Sequence, residues 1–165
     1  MESGADASAL SQEVIDLLRA RGDTIAVAES LTGGMLAAAL TAIPGASAAF
    51  RGGVVPYATG LKATLLGVPA ALLDSHGAVH PDVARAMADG VRSRLGATVG
   101  AATTGVAGPD PQDGQPVGTV YIAVSAGGGA SVRSLALAGG RQQIREATVE
   151  QLLGMLICRL REDDI

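Results

Sequence analysis

A three-layer α/β/α fold on a mixed, mostly parallel five-stranded sheet is what this sequence predicts, and three observations predict it. Short β-forming runs alternate with helical stretches as far as residue 103, the pattern of parallel strands joined by right-handed crossovers. Residues 97–103 form a near-continuous run of small apolar side chains, as expected of a strand covered on both faces. Residues 117–126 and 131–137 read as two strands joined by Gly127, Gly128 and Gly129, a hairpin that adds one antiparallel strand.

Each element has a local reason. Leu10, Val14, Leu17 and Leu18 lie at helical spacing after Ser8, a suitable N-cap, and Gly22 stops that helix. Residues 24–28 are the first strand and 31–42 the second helix, with Ser30 at the turn between them. Residues 50–57 read as the second strand, interrupted by Gly52 and Gly53. A short helix over 61–66 follows, with Thr59 as its cap, and another over 68–73 is led by Pro69. Pro81 opens a helix to Leu95 that Gly96 ends. The last helix, 141–161, carries the stripe Ile144, Thr148, Leu152, Met155 and Leu156.

Composition narrows the function classes. A chain of 165 residues with 48% hydrophobic and 2% aromatic side chains builds its core from Ala, Val, Leu and Ile. Residues 1–7 read as a disordered tail and 8–165 as a single domain. The net charge of −4 argues against general nucleic-acid binding. No run approaches the roughly 18 apolar residues of a membrane span, and no signal peptide is evident, so a cytoplasmic location is expected. The single cysteine, Cys158, is expected to be buried and offers neither a disulfide nor a metal site. His76 and His80 suit capping or surface roles better than metal binding. A homodimer packed through Ala-rich helices is compatible with the sequence.

Ligands of parallel α/β sheets gather at the carboxyl ends of the strands. That rule brings together Ser30, Tyr57, Lys62, Thr104 and Gly105, from the loops after the first three strands. Ser30 has two readings, a helix N-cap and a nucleophile beside the free N–H groups of a helix start. Gly33 and Gly34 cost helix stability, which makes sense where a ligand approaches the backbone. Of twelve basic residues eleven are arginine, and Lys62 is the one lysine. In the first turn of its helix the dipole disfavours a cation, so Lys62 is expected to titrate below the ordinary 10.4 and to serve as a base for Ser30. Tyr57 is placed to relay a proton or orient Lys62, and Glu29 to position the turn. The segment Thr103–Pro109 forms a nest suited to phosphate or a pocket wall, and Arg141 is suited to pair with phosphate or carboxylate.

The segments AESLTGG (28–34), GGVVPYATGLKATLLGV (52–68), GAV (77–79), TTGVAGP (103–109) and PVGTVYIAV (116–124) together resemble the CinA C-terminal domain family. The resemblance covers roughly residues 8–160. It implies nicotinamide-nucleotide amidase activity: hydrolysis of nicotinamide mononucleotide (NMN) to nicotinate mononucleotide and ammonia, with no metal or cofactor. It implies a Ser30 nucleophile, a Lys62 base and an assisting Tyr57, with Thr32, Gly33, Gly34, Thr104, Gly105 and Arg141 around the substrate. The chain also resembles a stand-alone form lacking the larger N-terminal domain of full-length CinA proteins. Pro56, Thr59, His80 and the 110–113 loop depart from the family pattern, which bears on substrate preference. Two further readings stand beside this one: a non-catalytic nucleotide-sensing module, and an amidase for another small carboxamide.

Overall fold

The run of small residues that reads as a doubly covered strand lies at the centre of the sheet. The computed structural model describes residues 2–162, with side chains from residue 6 onward. The helices are α1 (Glu2–Arg21), α2 (Met35–Thr41), α3 (Thr59–Leu66), α4 (Ala70–His76), α5 (Pro81–Arg94) and α6 (Arg141–Glu162). The strands are β1 (Ile25–Glu29), β2 (Phe50–Val54), β3 (Val99–Gly105), β4 (Thr119–Ala126) and β5 (Gly129–Ala136), with a 3₁₀ turn at Ala46–Ala48. The sheet order is β2-β1-β3-β4-β5. β1 pairs in parallel with β2 and with β3, while β4 is antiparallel to both β3 and β5. β4 alone therefore runs against the other strands.

The alternation of side chains along β1 sets the two outer layers. Ile25 and Val27 face a core shared with Val14, Ile15 and Leu18 of α1 and with Ile144, Leu152 and Leu156 of α6. Ala26 and Ala28 face the other core, built with Val83, Met87, Ala88 and Val91 of α5. The three-layer expectation is met. No helix among the described residues is long and apolar enough to cross a membrane.

Several boundaries differ from the sequence reading. α1 begins at Glu2 rather than Ser8, so residues 2–7, expected as a tail, are helical. Ala5, Ala7 and Ala9 are strong helix formers, and the Ser11 hydroxyl donates to Ala7 O from within the helix, so Ser8 is no cap. Met1 and residues 163–165 lie outside the described residues. β2 ends at Val54, and α3 starts at Thr59 with Ala58 as its cap. α4 spans Ala70–His76, with Pro69 as its cap. β5 begins at Gly129, paired with Ala126, because two glycines suffice for the turn. His80 does cap α5, its Nδ1 accepting the Asp82 N–H at 3.1 Å. Cys158, expected in the core, is exposed on α6.

Candidate functional site

The site grows from the end of β1. Glu29 is fully buried, and its two carboxylate oxygens accept the N–H groups of Leu36 and Ala37 at 2.8 and 3.0 Å. A carboxylate at a helix start satisfies donors that would otherwise be orphaned, and it complements the dipole. Glu29 therefore does the work the sequence reading assigned to Ser30. α2 starts only at Met35, and its N-cap residue is Gly34. The intervening turn gives Gly33 a φ of 56° and Gly34 a φ of 106°, so backbone conformation alone demands glycine at both. Removing the carboxylate should unravel this corner. Glu29→Ala is expected to cost about 1–3 kcal/mol of unfolding free energy in urea titrations; an unchanged midpoint would deny Glu29 the capping role.

Freed from capping, the Ser30 hydroxyl meets Lys62. Ser30 is 9% exposed, and its own N–H donates to Thr103 O at 3.1 Å, which ties it to the central strand. The Thr32 and Thr103 hydroxyls share a 2.8 Å hydrogen bond that ties the same turn to β3. Lys62 Nζ lies 3.0 Å from Ser30 Oγ and donates to Pro56 O at 2.8 Å and Tyr57 O at 3.4 Å. Only 1% of Lys62 is exposed. Burial disfavours its ammonium and lowers the pKa from 10.5 to about 8, against an opposing pull from Asp113. The direction matches the sequence expectation, but burial is the cause, in place of the helix dipole.

The remaining expected residues divide. Tyr57 is 57% exposed, and its hydroxyl accepts from Arg141 Nη2 at 3.0 Å, so its backbone rather than its phenol contacts Lys62. Arg141 opens α6 and donates through Nη1 to Gly108 O at 2.6 Å. Ser30, Leu31, Tyr57, Gly105, Gly108 and Arg141 thus share the walls of a cavity of about 100 Å³. Thr32 and Thr104 are buried, and the Thr104 hydroxyl donates to Ala78 O at 2.7 Å. Gly105 leaves room for β4, since a Cβ there would lie 2.8 Å from Thr119 O. Gly33 is exposed beside the turn.

Arg145 escaped the sequence reading. One helical turn beyond Arg141, its Nε donates to Leu31 O at 2.9 Å and its Nη2 lies 3.4 Å from Thr32 O. The i, i+4 spacing was the available signal. A larger cavity of about 530 Å³ lies at the opposite end of the sheet. There Arg21 pairs with Asp23, and Arg92 donates to Ala126 O. Among the described residues no group of three or more His, Cys, Asp or Glu side chains is placed to hold a metal ion.

An α/β sheet with a buried lysine against a strand-end serine, at the carboxyl edge where small ligands bind, defines a class of protein with a potential nucleophile and base in contact. The chain belongs to the CinA C-terminal domain family, which matches residues 7–160. It is 56% identical over 153 residues to a CinA-like protein of Frankia casuarinae, covering 93% of this chain and 35% of that protein. The chain thus spans about a third of the length of the curated relatives it matches. The crystal structure of the competence/damage inducible protein CihA from Agrobacterium tumefaciens superposes with a TM-score of 0.90 at 38% identity, covering 94% of this chain and 96% of that one. The competence damage-inducible protein A (ComA) from Klebsiella pneumoniae gives 0.91 at 35% identity, with 94% and 97% coverage.

Proposed function

We propose that this chain hydrolyses the carboxamide of NMN to the carboxylate and ammonia, through an acyl-enzyme on Ser30. The observation that carries the reading is the 3.0 Å contact between Ser30 Oγ and a buried Lys62 whose pKa is lowered to about 8. Near that pH a substantial fraction of Lys62 is the neutral amine, which has a lone pair to accept the serine proton. Ser30 Oγ then attacks the carboxamide carbon. The Leu31 N–H lies next in the chain on the cavity wall, has no acceptor among the described residues, and receives the developing oxyanion. The C–N bond breaks as the Lys62 ammonium returns its proton to the departing nitrogen. Water, deprotonated by the same amine, attacks the ester carbonyl. The carboxylate leaves, and Ser30 Oγ regains a proton from Lys62. Arg141 and Tyr57 at the mouth suit the phosphate end of the substrate.

The cavity favours one alternative, an amidase for a smaller carboxamide. At about 100 Å³ it has room for roughly three waters, enough for a carboxamide and part of a ring, with ribose and phosphate left at the mouth. Purified protein incubated at pH 8 with NMN, free nicotinamide and a panel of small amides is expected to release ammonia fastest from NMN. Preference for an amide without phosphate would favour the alternative. Nucleotide binding with no ammonia from any amide would leave a sensing module.

A further inference from the structure

The loop from residue 106 to 118, between β3 and β4, carries an acidic side chain to which the mechanism gives no part. At its tip Gln112 and Gln115 exchange backbone hydrogen bonds of 3.1 and 2.8 Å around Asp113-Gly114. Both turn residues have positive φ, 51° and 75°, as a two-residue Asp-Gly turn requires. Asp113 is the one non-glycine with positive φ among the described residues. The turn aims its carboxylate away from the loop, and Oδ2 accepts the Ala78 N–H at 3.1 Å. A Cβ on Gly77 would lie 2.8 Å from that carboxylate, so glycine there leaves the space it occupies. The carbonyl of Ala78 is held from the other side by the Thr104 hydroxyl of β3. The Gly77–Ala78 turn is thus clasped between the central strand and the loop tip, while the loop's stem, at Ala107, Gly108 and Asp110, walls the cavity that holds Ser30.

We propose that Asp113 is a positioning residue of the amidase site, latching the loop tip to the Gly77–Ala78 turn. The proposal rests on the amidase reading. Three other charged or titratable groups near the site have partners of their own. Glu29, on β1, is bound to Leu36 and Ala37. Arg141, on α6, is bound to Gly108 and Tyr57. His80, beyond the turn, accepts from the Asp82 N–H and stacks on His76. Asp110 lines the cavity from the loop stem. Against the larger effect of burial, the charge of Asp113 favours the Lys62 ammonium and opposes loss of its proton. The latch and the base are therefore coupled: a loop docked through a carboxylate keeps Lys62 more basic than burial alone would.

Two variants and one spectroscopic probe separate the roles. Asn fits a positive φ and keeps an oxygen for the Ala78 N–H, so Asp113→Asn removes charge and spares the latch. Asp113→Ala removes both. Lys62 is the only lysine in the sequence, so protein labelled at the lysine side-chain nitrogen gives one amine resonance whose titration is read by NMR without any substrate. In Asp113→Asn the Lys62 midpoint is expected to fall below the wild-type value by a few tenths to one pH unit, with the acid limb of kcat/KM moving alike and KM within twofold. In Asp113→Ala the amide KM is expected to rise about fivefold or more, and the Ala78 amide to exchange with solvent at least tenfold faster. An unmoved Lys62 midpoint in Asp113→Asn, or unchanged Ala78 exchange in Asp113→Ala, overturns the proposal. Both readouts stand if the wild-type protein releases no ammonia, an outcome that would remove the amidase reading and leave the latch to be judged by NMR and exchange alone.

Discussion

Ser30→Ala is expected to lower kcat for carboxamide hydrolysis by about 10³-fold or more while leaving the protein folded. Among the described residues the hydroxyl is the nucleophilic side chain that hydrogen-bonds Lys62, and under the proposed mechanism removing it deletes the acyl-enzyme rather than weakening one hydrogen bond. What remains, the Leu31 N–H and the cavity walls, can stabilise an attacking water only weakly. Folding is expected to survive because the turn is held by other groups. Thr103 O accepts the residue 30 N–H, Glu29 caps α2, and Arg145 binds the carbonyl of Leu31. Lys62 keeps the carbonyls of Pro56 and Tyr57 as acceptors. Ammonia release and thermal melts on the same preparation check both halves. Turnover within tenfold of wild type would show that Ser30 is not the nucleophile, and a collapsed melting temperature would show that the hydroxyl holds the corner together.

The parts of this site that sequence could reveal are those fixed by local chain chemistry and strand order. β1 ends where its β-forming run meets small polar residues, and a parallel sheet delivers that end, the segment after β2 and the end of β3 to one edge. Ser30, Tyr57, Lys62, Thr104 and Gly105 follow from that geometry. What stayed hidden depends on contacts between segments distant in sequence. Capping rules look at the residue just before a helix, so they pointed to Ser30. Glu29 sits seven residues before its partner Leu36 and reaches it only because the 31–34 turn folds back. The dipole argument for Lys62 was likewise local, whereas the pKa is governed by burial, which tertiary packing sets. Cys158 reads as apolar from its neighbours, but it lies on a face of α6 that is open to solvent. Asp113 offered a legible signal, an Asp-Gly pair, but its partner Ala78 lies 35 residues away.

Lys62→Met is expected to abolish most activity and yet stabilise the fold at neutral pH. The activity loss, about 10²–10⁴-fold, is that of a general base and acid. Stability follows from the sign of the pKa displacement. The folded-state value, about 8, lies below the unfolded 10.5, so at pH 7 both states are charged and the folded one carries the desolvation cost of the ammonium. Between pH 8 and 10.5 the folded protein has released the proton while the unfolded chain still binds it, so wild-type stability rises with pH and levels off above 10.5. The full displacement corresponds to about 3 kcal/mol. Met fills similar volume without a charge but leaves the carbonyls of Pro56 and Tyr57 without their donor, which offsets part of that gain. A net gain of about 1–2 kcal/mol is expected at pH 7, shrinking or reversing by pH 10, as read from urea titrations at the two pH values. A variant less stable than wild type at pH 7 would mean that the lost hydrogen bonds to Pro56 and Tyr57 outweigh the desolvation cost, and a difference that does not change between pH 7 and 10 would contradict the lowered pKa. Lys62→Arg then isolates the chemistry: it keeps a cation that cannot deprotonate at working pH, so its activity should stay low across the range where wild type climbs toward a plateau with an apparent pKa near 8.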